Sequence, residues 1–247
     1  MTTALYGIDI RQPIGGDFAF DKQYIDTIAN SKLWLYNPWS LYFGVDIMLT
    51  HTALAHGFTV CEADLKAKIH ESKDPAKHLK NMFIEVTGSL FVTACEYSDT
   101  WKKLRVSKDS ISRPRLVSHP ELPDISPWTV KVDKEKAREA FLKGIESHKD
   151  VLKELLDSIT VSDILKNEVL EYGIDRDLWS TIVIEVYKKF VGEPKYSRRA
   201  LYLEILYVLW QGRLYRYYRE VENLNDIEVE ELLFKEVLSF ITKRYML

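Results

Sequence analysis

Side chains that can do chemistry gather in short stretches near the beginning of the sequence. In the first stretch, Asp17 follows Gly15 and Gly16, whose permissive backbone allows close approach to a ligand. In the second, Asp46 stands two residues after Gly44, at the start of an apolar-periodic run. A carboxylate at a helix start is favoured by the helix dipole, and it either orients a substrate or caps the helix. For the glycine pair, the competing interpretation is an ordinary turn.

A histidine and a lysine follow in the next predicted elements. The apolar run after Asp46 predicts a helix that stops at Gly57. The pattern after Gly57 predicts a short strand that ends near His70, with Lys73 just beyond it. His70 is a candidate metal ligand, with a structural histidine as the alternative. An acid at a helix start and a histidine at a strand end meet at one edge of a sheet, where α/β folds bind ligands.

Other catalytic motifs are absent from the sequence. It contains no serine–histidine–aspartate set, no zinc-ligand spacing, no Walker loop and no GxGxxG. His51 and His56 lie five residues apart, so they do not share a helix face as a zinc pair would. Cys61 and Cys95 both lie in apolar runs and are predicted to be buried free thiols in a reducing cytoplasm rather than a disulfide.

The elements that must position these residues are mainly helical. The sequence predicts a strand over Leu5–Ile10, a helix over 21–30 capped by Asp21, and a long helix over about 76–104. After the predicted helix over 21–30 comes an aromatic segment that either packs in a core or walls a sugar pocket. Its members are Trp34, Tyr36, Trp39, Tyr42 and Phe43.

The second half of the chain is predicted to be a separate helical domain. Residues 106–132 are predicted to be an irregular connector, since four of the eight prolines fall there. The first domain then covers residues 1–105 and the helical domain covers 133–247, an α+β, mainly α, fold class overall. Helices are predicted at about 133–158, 160–172, 175–191, 197–220 and 227–245, with Asp133 and Ser162 as caps and Gly173 and Gly192 as stops.

The helix over 197–220 interleaves arginines with tyrosines. Such a pattern either binds a nucleic acid by stacking and phosphate contacts or packs as a helix pair whose arginines meet the glutamates that follow. The second interpretation is favoured, because the glutamates Glu220, Glu222, Glu228, Glu230 and Glu231 are close in sequence.

Composition indicates a globular protein without a broad polyanion-binding face. Hydrophobic residues make up 46% of the 247 residues, the net charge is −3 and the pI is near 6.1. An acidic balance does not favour a nucleic-acid partner. No apolar run approaches the roughly 18 to 20 residues that span a bilayer, so no transmembrane segment is expected. A cytoplasmic protein is the resulting expectation.

Three motifs, in order, resemble the distal half of family-2 GT-A glycosyltransferases. They are the stretches Gln12–Ala19, Phe43–Ile47 and Lys68–His70, which read QPIGGDFA, FGVDI and KIH. More narrowly, they resemble glucosyl-3-phosphoglycerate synthases and mannosylglycerate synthases, and the resemblance covers about residues 5–95. The helical domain resembles the variable C-terminal addition of such enzymes only loosely.

The resemblance implies a role for each matched residue. Asp46 would be the catalytic acid that contacts the transferred sugar, and Gly15, Gly16, Asp17 and Gly44 would line the sugar and acceptor site. His70 would ligate Mg²⁺ or Mn²⁺. Lys73 is included as a substrate-binding candidate for a phosphate, although no matched motif carries it. The implied reaction moves a sugar from a nucleotide-sugar donor to a small hydroxylated acceptor such as a glycerate or phosphoglycerate, with retention.

The sequence departs from this family in one respect. GT-A enzymes bind the nucleotide with an N-terminal half that supplies an Asp-x-Asp motif, and the only such triplet here, Asp175–Asp177, falls in the helical region. A lone histidine cannot hold a hard cation. The chain is therefore expected to be inactive alone and to need a donor-binding module. The alternative is a non-catalytic interaction or oligomerisation protein built on a degenerate glycosyltransferase half.

Overall fold

The computed structural model describes residues 1–64, 79–118 and 133–247. The chain divides into two compact units, Met1–Lys131 and Val132–Leu247. Helices dominate both units, and the described strands form one small parallel sheet. The predicted α+β, mainly α, class is confirmed at this level.

The first unit is built from short helices around two longer ones. In chain order its described helices are α1 (Thr2–Tyr6), α2 (Lys22–Ala29), α3 (Leu33–Tyr36), α4 (Val45–Ala55), α5 (Lys80–Glu96) and α6 (Ser98–Trp101), with 3-10 turns at Pro38–Leu41 and Lys108–Ser110. The central contact is α4 against α5. Apolar side chains on both helices are buried there, Ile47 and Met48 on α4 and Phe91 on α5. This packing stabilises the helix that carries Asp46.

The small sheet joins two distant parts of the first unit. Strand β1 (Cys61–Asp64) pairs in parallel with β2 (Arg115–Ser118), with Cys61 opposite Arg115. One further parallel bridge links Ile8 to Ser112. The predicted strand after Gly57 is thus present, but its described part begins at Cys61 and residues 65–78 lie outside the described structure.

The predicted strand over Leu5–Ile10 is wrong in its first half. Residues Thr2–Tyr6 form α1, which ends because Gly7 takes a left-handed conformation with φ 71°. A left-handed glycine is a common helix stop, because its N–H can bond back to a carbonyl of the last turn; here the Gly7 N–H donates to the carbonyl of Thr3. Extended pairing begins only at Ile8.

The second unit consists of helices only, within residues 133–247. They are α7 (Lys134–Ser147), α8 (Lys149–Leu155), α9 (Ser158–Ile164), α10 (Asn167–Tyr172), α11 (Arg176–Gly192), α12 (Tyr196–Val221) and α13 (Asp226–Thr242), followed by a 3-10 turn at Arg244–Met246. The largest interface is α7 against α12. There is no space for a side chain at Gly144 or Gly212, where an added Cβ would lie within 3 Å of Val208 and of Phe141. The helices therefore approach closely at these glycines.

Several predicted boundaries in this unit are correct and others are wrong. Asp133 caps α7 through the Lys136 N–H, and Gly173 ends α10 with φ 85°. The predicted helices over 133–158 and 160–172 are each two helices in the structure. Ser162 is not a cap, because it lies inside α9, which starts at Ser158.

Three arginines of α12 pair with carboxylates, as the helix-pair interpretation predicted, whereas Arg199 donates to the Glu193 backbone carbonyl and Arg219 to the Tyr215 hydroxyl. Arg213 is buried, and its guanidinium donates to Glu220 on the same helix and to Glu236 on α13. Arg216 also pairs with Glu220, at 3.1 Å. On α13 the partner of Arg213 is Glu236, which is half-buried.

Two further predictions concern the cysteines and membrane-spanning helices. Both cysteines are free, but Cys61 is exposed rather than buried and Cys95 is half-buried. Among the helices of the described residues, none combines the length and the apolar character that crossing a membrane requires.

Candidate functional site

The loop over residues 11–18 is fastened at its beginning by backbone bonds. The Asp9 N–H donates to the Ser112 carbonyl at 2.8 Å, next to the bridge at Ile8. Two residues later, the Arg11 N–H donates to Oε1 of Glu62 on β1, at 2.7 Å. The loop therefore leaves the sheet from a fixed position.

The middle of the same loop is tied to α4. Thr50 Oγ1 donates to the Pro13 carbonyl at 2.7 Å. Thr50 lies four residues after Asp46, which is about one helical turn or roughly 6 Å along the axis. The two motifs that the sequence singled out, Gln12–Phe18 and Gly44–Asp46, are thus held on one helix. Beyond Pro13, Gly15, Gly16 and Asp17 are exposed, and Gly16 turns the chain with φ 77°.

Aromatic stacking fastens the end of the loop. Phe18 stacks on Phe20 and Phe20 stacks on Tyr24, with ring centroids 5.5 and 4.7 Å apart. Phe58 meets the Tyr24 ring edge-on. Burial raises the pKa of Tyr24, so its hydroxyl stays protonated and donates to the Leu49 carbonyl of α4 at 2.7 Å. Thr50 thus bonds the loop itself, while Leu49 bonds Tyr24 of α2, which supports the aromatic stack at the end of the loop.

Gly44 lies at the N-cap of α4 and is buried. A Cβ at this position would lie 2.5 Å from the carbonyl oxygens of both Trp39 and Glu85. Glycine is thus required for the close approach of the α4 start to α5. Beside it, the Phe43 N–H donates to the Glu85 carboxylate at 3.2 Å. The structure gives Gly44 a packing contact with α5, while its predicted role in substrate binding stays a prediction.

Asp46 occupies the first turn of α4 and is half-buried. A negative charge there interacts favourably with the partial positive charge of the helix N-terminus. The α4 N-cap is Gly44, which has no side chain, so Asp46 is not the N-cap residue. The cap interpretation of Asp46 is therefore wrong, and the acid is positioned one turn from the loop anchor at Thr50.

A buried polar triad holds α4 in place behind the site. The ring of His51 is hydrogen-bonded to Thr2 Oγ1 at 3.0 Å and to Thr93 Oγ1 at 2.8 Å. The Thr93 hydroxyl donates to the Ser89 carbonyl, so it accepts from His51 Nδ1–H. Burial lowers the pKa of His51 to about 3, which keeps the ring neutral. His51 is a structural link between α1, α4 and α5.

The two remaining candidates cannot be placed. His70 and Lys73 lie outside the described residues. Within residues 1–64, 79–118 and 133–247, no three histidine, cysteine or acidic side chains come together as a metal site requires. The described residues thus do not by themselves fit a Mg²⁺ or Mn²⁺ ion.

The residues that join the two motifs were not among the sequence-predicted candidates. Thr50, Leu49 and Tyr24 attach the loop to α4, and Glu62 attaches it to β1. Thr50 had one signal, since an i, i+4 spacing from Asp46 puts both on one helix face. No sequence pattern marks the backbone acceptors or the Glu62 contact, because these contacts depend on the tertiary path of the loop.

An exposed apolar surface lies next to Gly44 in the sequence. More than a third of each of six side chains in the segment 34–43 is accessible, with Leu35 at 86% and Tyr42 at 67%. The six are Trp34, Leu35, Tyr36, Leu41, Tyr42 and Phe43. Trp39, between them, is buried against Gly88 of α5. The aromatic segment is therefore divided between core packing and an exposed face.

Comparison with known proteins found no matching family model, no matching curated protein and no matching solved structure. The class defined by the fold is thus a two-unit, mainly helical protein with a small parallel sheet. The resemblance to glycosyltransferases rests on the three sequence motifs alone.

Proposed function

We propose that the chain forms the acceptor side of a glycosyltransferase that takes a sugar from a nucleotide-sugar donor. The observation that carries the proposal is the bond from Thr50 to the Pro13 carbonyl. It fixes the glycine-rich loop to the helix that begins with Gly44 and Asp46. Two motifs that resemble those of one enzyme family, about 30 residues apart in the sequence, are therefore parts of one local structure.

Each residue of this structure has a chemical role in the proposal. Exposed backbone at Gly15 and Gly16 leaves room for a sugar ring, and Asp17 offers a carboxylate beside it. Asp46, at the positive end of α4, accepts hydrogen bonds from sugar hydroxyls and orients the ring for transfer. The acceptor is a small hydroxylated acid such as a glycerate or phosphoglycerate.

The donor's diphosphate needs groups beyond the described residues. The resemblance assigns the cation to His70, and no set of ligands for it exists in the described part of the chain. A donor-binding module would supply the others, since Mg²⁺ takes about six ligands, mostly oxygen. Lys73 is a further candidate for the phosphate.

The test is sugar transfer by the chain co-expressed with a donor-binding module. UDP- and GDP-sugars are offered with glycerate and 3-phosphoglycerate. Asp46→Asn is expected to lower kcat/KM by at least about a hundredfold, the usual scale for a lost transition-state contact. Asp109→Asn makes the same change at an exposed acid of a 3-10 turn and is expected to leave turnover unchanged. If Asp46→Asn and His70→Ala both retain full activity, the site assignment is wrong.

The exposed segment 34–43 favours a second candidate function, a non-catalytic interaction or oligomerisation protein. Large exposed apolar side chains gathered in one segment are typical of an interaction site. A second copy of the chain, or a donor-binding module, would cover it. Sedimentation over a hundredfold concentration range distinguishes these occupants, since self-association raises the mass of the purified chain. Leu35→Ser with Tyr42→Ser is expected to return such an oligomer to the monomer.

A further inference from the structure

A groove with an apolar floor and a basic rim runs between α8 and α9 in the second unit. It holds a cavity of about 640 Å³ lined by Lys153, Ser158, Val161, Ser162, Leu165 and Lys166. A second cavity of about 250 Å³ continues it over Lys149, Leu152 and Ile164. Both lie open to solvent along the surface of the second unit.

The helical spacing explains why these residues face one another. On α9 and its end, positions 158, 161, 162 and 165 follow the i, i+3, i+4, i+7 rule and form one face. On α8, positions 149, 152 and 153 do the same. Two short helices joined by Leu156 and Asp157 thus turn these faces toward a common groove. Leu152, Ile164 and Val161 form its floor and are buried.

The α9 side of the groove is held by a buried carboxylate. Glu185 on α11 accepts from the Asp157 N–H at 3.0 Å and from Thr160 Oγ1 at 2.7 Å. Both partners belong to the start of α9. Glu185 bonds the side of α9 that faces away from the groove, and these two hydrogen bonds hold α9 in position as one wall of the groove.

The rim carries positive charge that is not neutralised within the protein. Lys149 and Lys153 have no ion pair among the described residues, whereas Lys166 pairs with Asp163 at 2.6 Å. Glu154 on α8 pairs with Arg198. The hydroxyls of Ser158 and Ser162 are exposed and have no hydrogen-bond partner in the described part of the chain. Cations and hydroxyl donors thus surround an apolar floor.

We propose that this groove binds a small anionic amphiphile, a molecule with a phosphate or carboxylate headgroup and an apolar chain. The headgroup bonds Lys149, Lys153 and the two serine hydroxyls, and charge-assisted hydrogen bonds of this type are the strong ones. The apolar chain lies on Leu165, which is exposed in the free protein and which the ligand removes from water. This site is independent of the sugar-transfer site in the first unit.

The experiment measures binding of decyl phosphate, kept below its micelle concentration, to the full chain by isothermal titration. Inorganic phosphate and decyl maltoside are the comparison ligands, the first lacking the chain and the second lacking the charge. Each is expected to bind at least about tenfold more weakly than decyl phosphate, the factor that about 1.4 kcal/mol provides. If inorganic phosphate bound as tightly as decyl phosphate, the groove would be a simple anion site, and the proposal of an amphiphilic ligand would be wrong.

Variants test the basic rim and the apolar surface of the groove separately. Lys149→Gln with Lys153→Gln is expected to weaken the binding of decyl phosphate by at least about tenfold. Leu165→Gln is expected to weaken this binding by a factor of about three to ten, because apolar contact is lost. Lys188→Gln with Lys189→Gln makes the matched change at exposed lysines of α11 and should alter binding less than twofold. All these positions are exposed, so the variants are expected to fold, as far-ultraviolet circular dichroism will report. Undetectable binding, or binding that the Lys149 and Lys153 changes leave intact, overturns the proposal.

Discussion

At the scale of single residues, Gly44 shows how one missing side chain positions the proposed site. The α4 start lies against α5 so closely that the carbonyl oxygens of Trp39 and Glu85 occupy the space of a Cβ. Any other residue must move α4, and with it Asp46, away from α5. A requirement for glycine therefore arises from backbone packing here, since φ is −74° and needs no glycine.

Gly44→Ala is expected to lower the free energy of unfolding by about 1–3 kcal/mol, the usual cost of overpacking a core. Urea denaturation followed by circular dichroism measures it. Gly192→Ala is the matched control, because a Cβ there meets no atom within 4 Å. Equal stability of Gly44→Ala and the unchanged chain would mean that α4 and α5 do not approach this closely.

His51 gives the first unit a pH-dependent stability. Burial lowers the pKa of His51 to about 3 in the folded state, against about 6.5 in an unfolded chain. Between pH 6.5 and about 3, His51 therefore binds a proton in the unfolded state but not in the folded state. Stability is fully present above pH 6.5 and is lost as the pH falls toward 3, by about 1.4 kcal/mol for each pH unit.

The difference between the unchanged chain and His51→Gln isolates this effect, because the other titrating groups are common to both. Glutamine keeps polar groups near Thr2 and Thr93 but does not titrate. We expect the variant to be less stable at pH 7 and the difference to shrink steadily between pH 6.5 and 4, measured as unfolding free energies in urea. Two parallel pH curves would show that His51 is charged or exposed in the folded chain.

Residue-level features with a local cause were predictable from sequence. Asp21 and Asp133 cap helices because their carboxylates reach an N–H within the next turn, and Gly173 ends one because it tolerates positive φ. Long-range partners were not predictable in the same way. The contact of Glu62 with Arg11 joins residues 51 positions apart, and no local pattern marks such a pair.

At the scale of elements, the loop over 11–18 and α4 act as one part of the molecule. Thr50 bonds the middle of the loop at Pro13, and the neighbouring Leu49 accepts from Tyr24 of α2, on which the aromatic stack at the end of the loop rests. Loops that carry function are commonly positioned by a rigid element in this way. The position of the exposed glycines therefore depends on side chains that contact no substrate.

Thr50→Val removes the hydroxyl with almost no change in shape. We expect it to cost about 1 kcal/mol for the lost hydrogen bond and to increase local opening of the loop about fivefold. Hydrogen exchange of the amides of residues 14–18 is the measurement. Thr27→Val is the matched control, because its hydroxyl bonds the Gln23 carbonyl of its own exposed helix. Unchanged exchange in the Thr50 variant would contradict the coupling of loop and helix.

The predictability of elements followed their length and periodicity. The long helices α11, α12 and α13 lie within a few residues of their predicted bounds, because their apolar stripes are repeated over several turns. The start of the chain was assigned to the wrong element. Leu5 and Tyr6 have a strand-like composition, but tertiary burial of every residue of α1 outweighs that local preference.

At the scale of the whole molecule, each unit has its own core. In the second unit, Phe141 and Ile145 of α7 and Leu203 and Leu206 of α12 are almost fully buried. The interface of α7 and α12 is the largest contact of this unit. Two cores in one chain indicate that each unit can fold as a domain.

The second unit alone, residues 132–247, is therefore expected to unfold cooperatively on heating, with circular dichroism typical of helices. Its matched variant is Gly144→Val, which inserts a branched side chain where a Cβ already lies too close to Val208. Overpacking at the α7–α12 interface should lower the midpoint of the transition by about 4–8 °C for each kcal/mol of lost stability. A broad, non-cooperative melt of the unsubstituted chain 132–247 would instead show that its core is incomplete without the first unit.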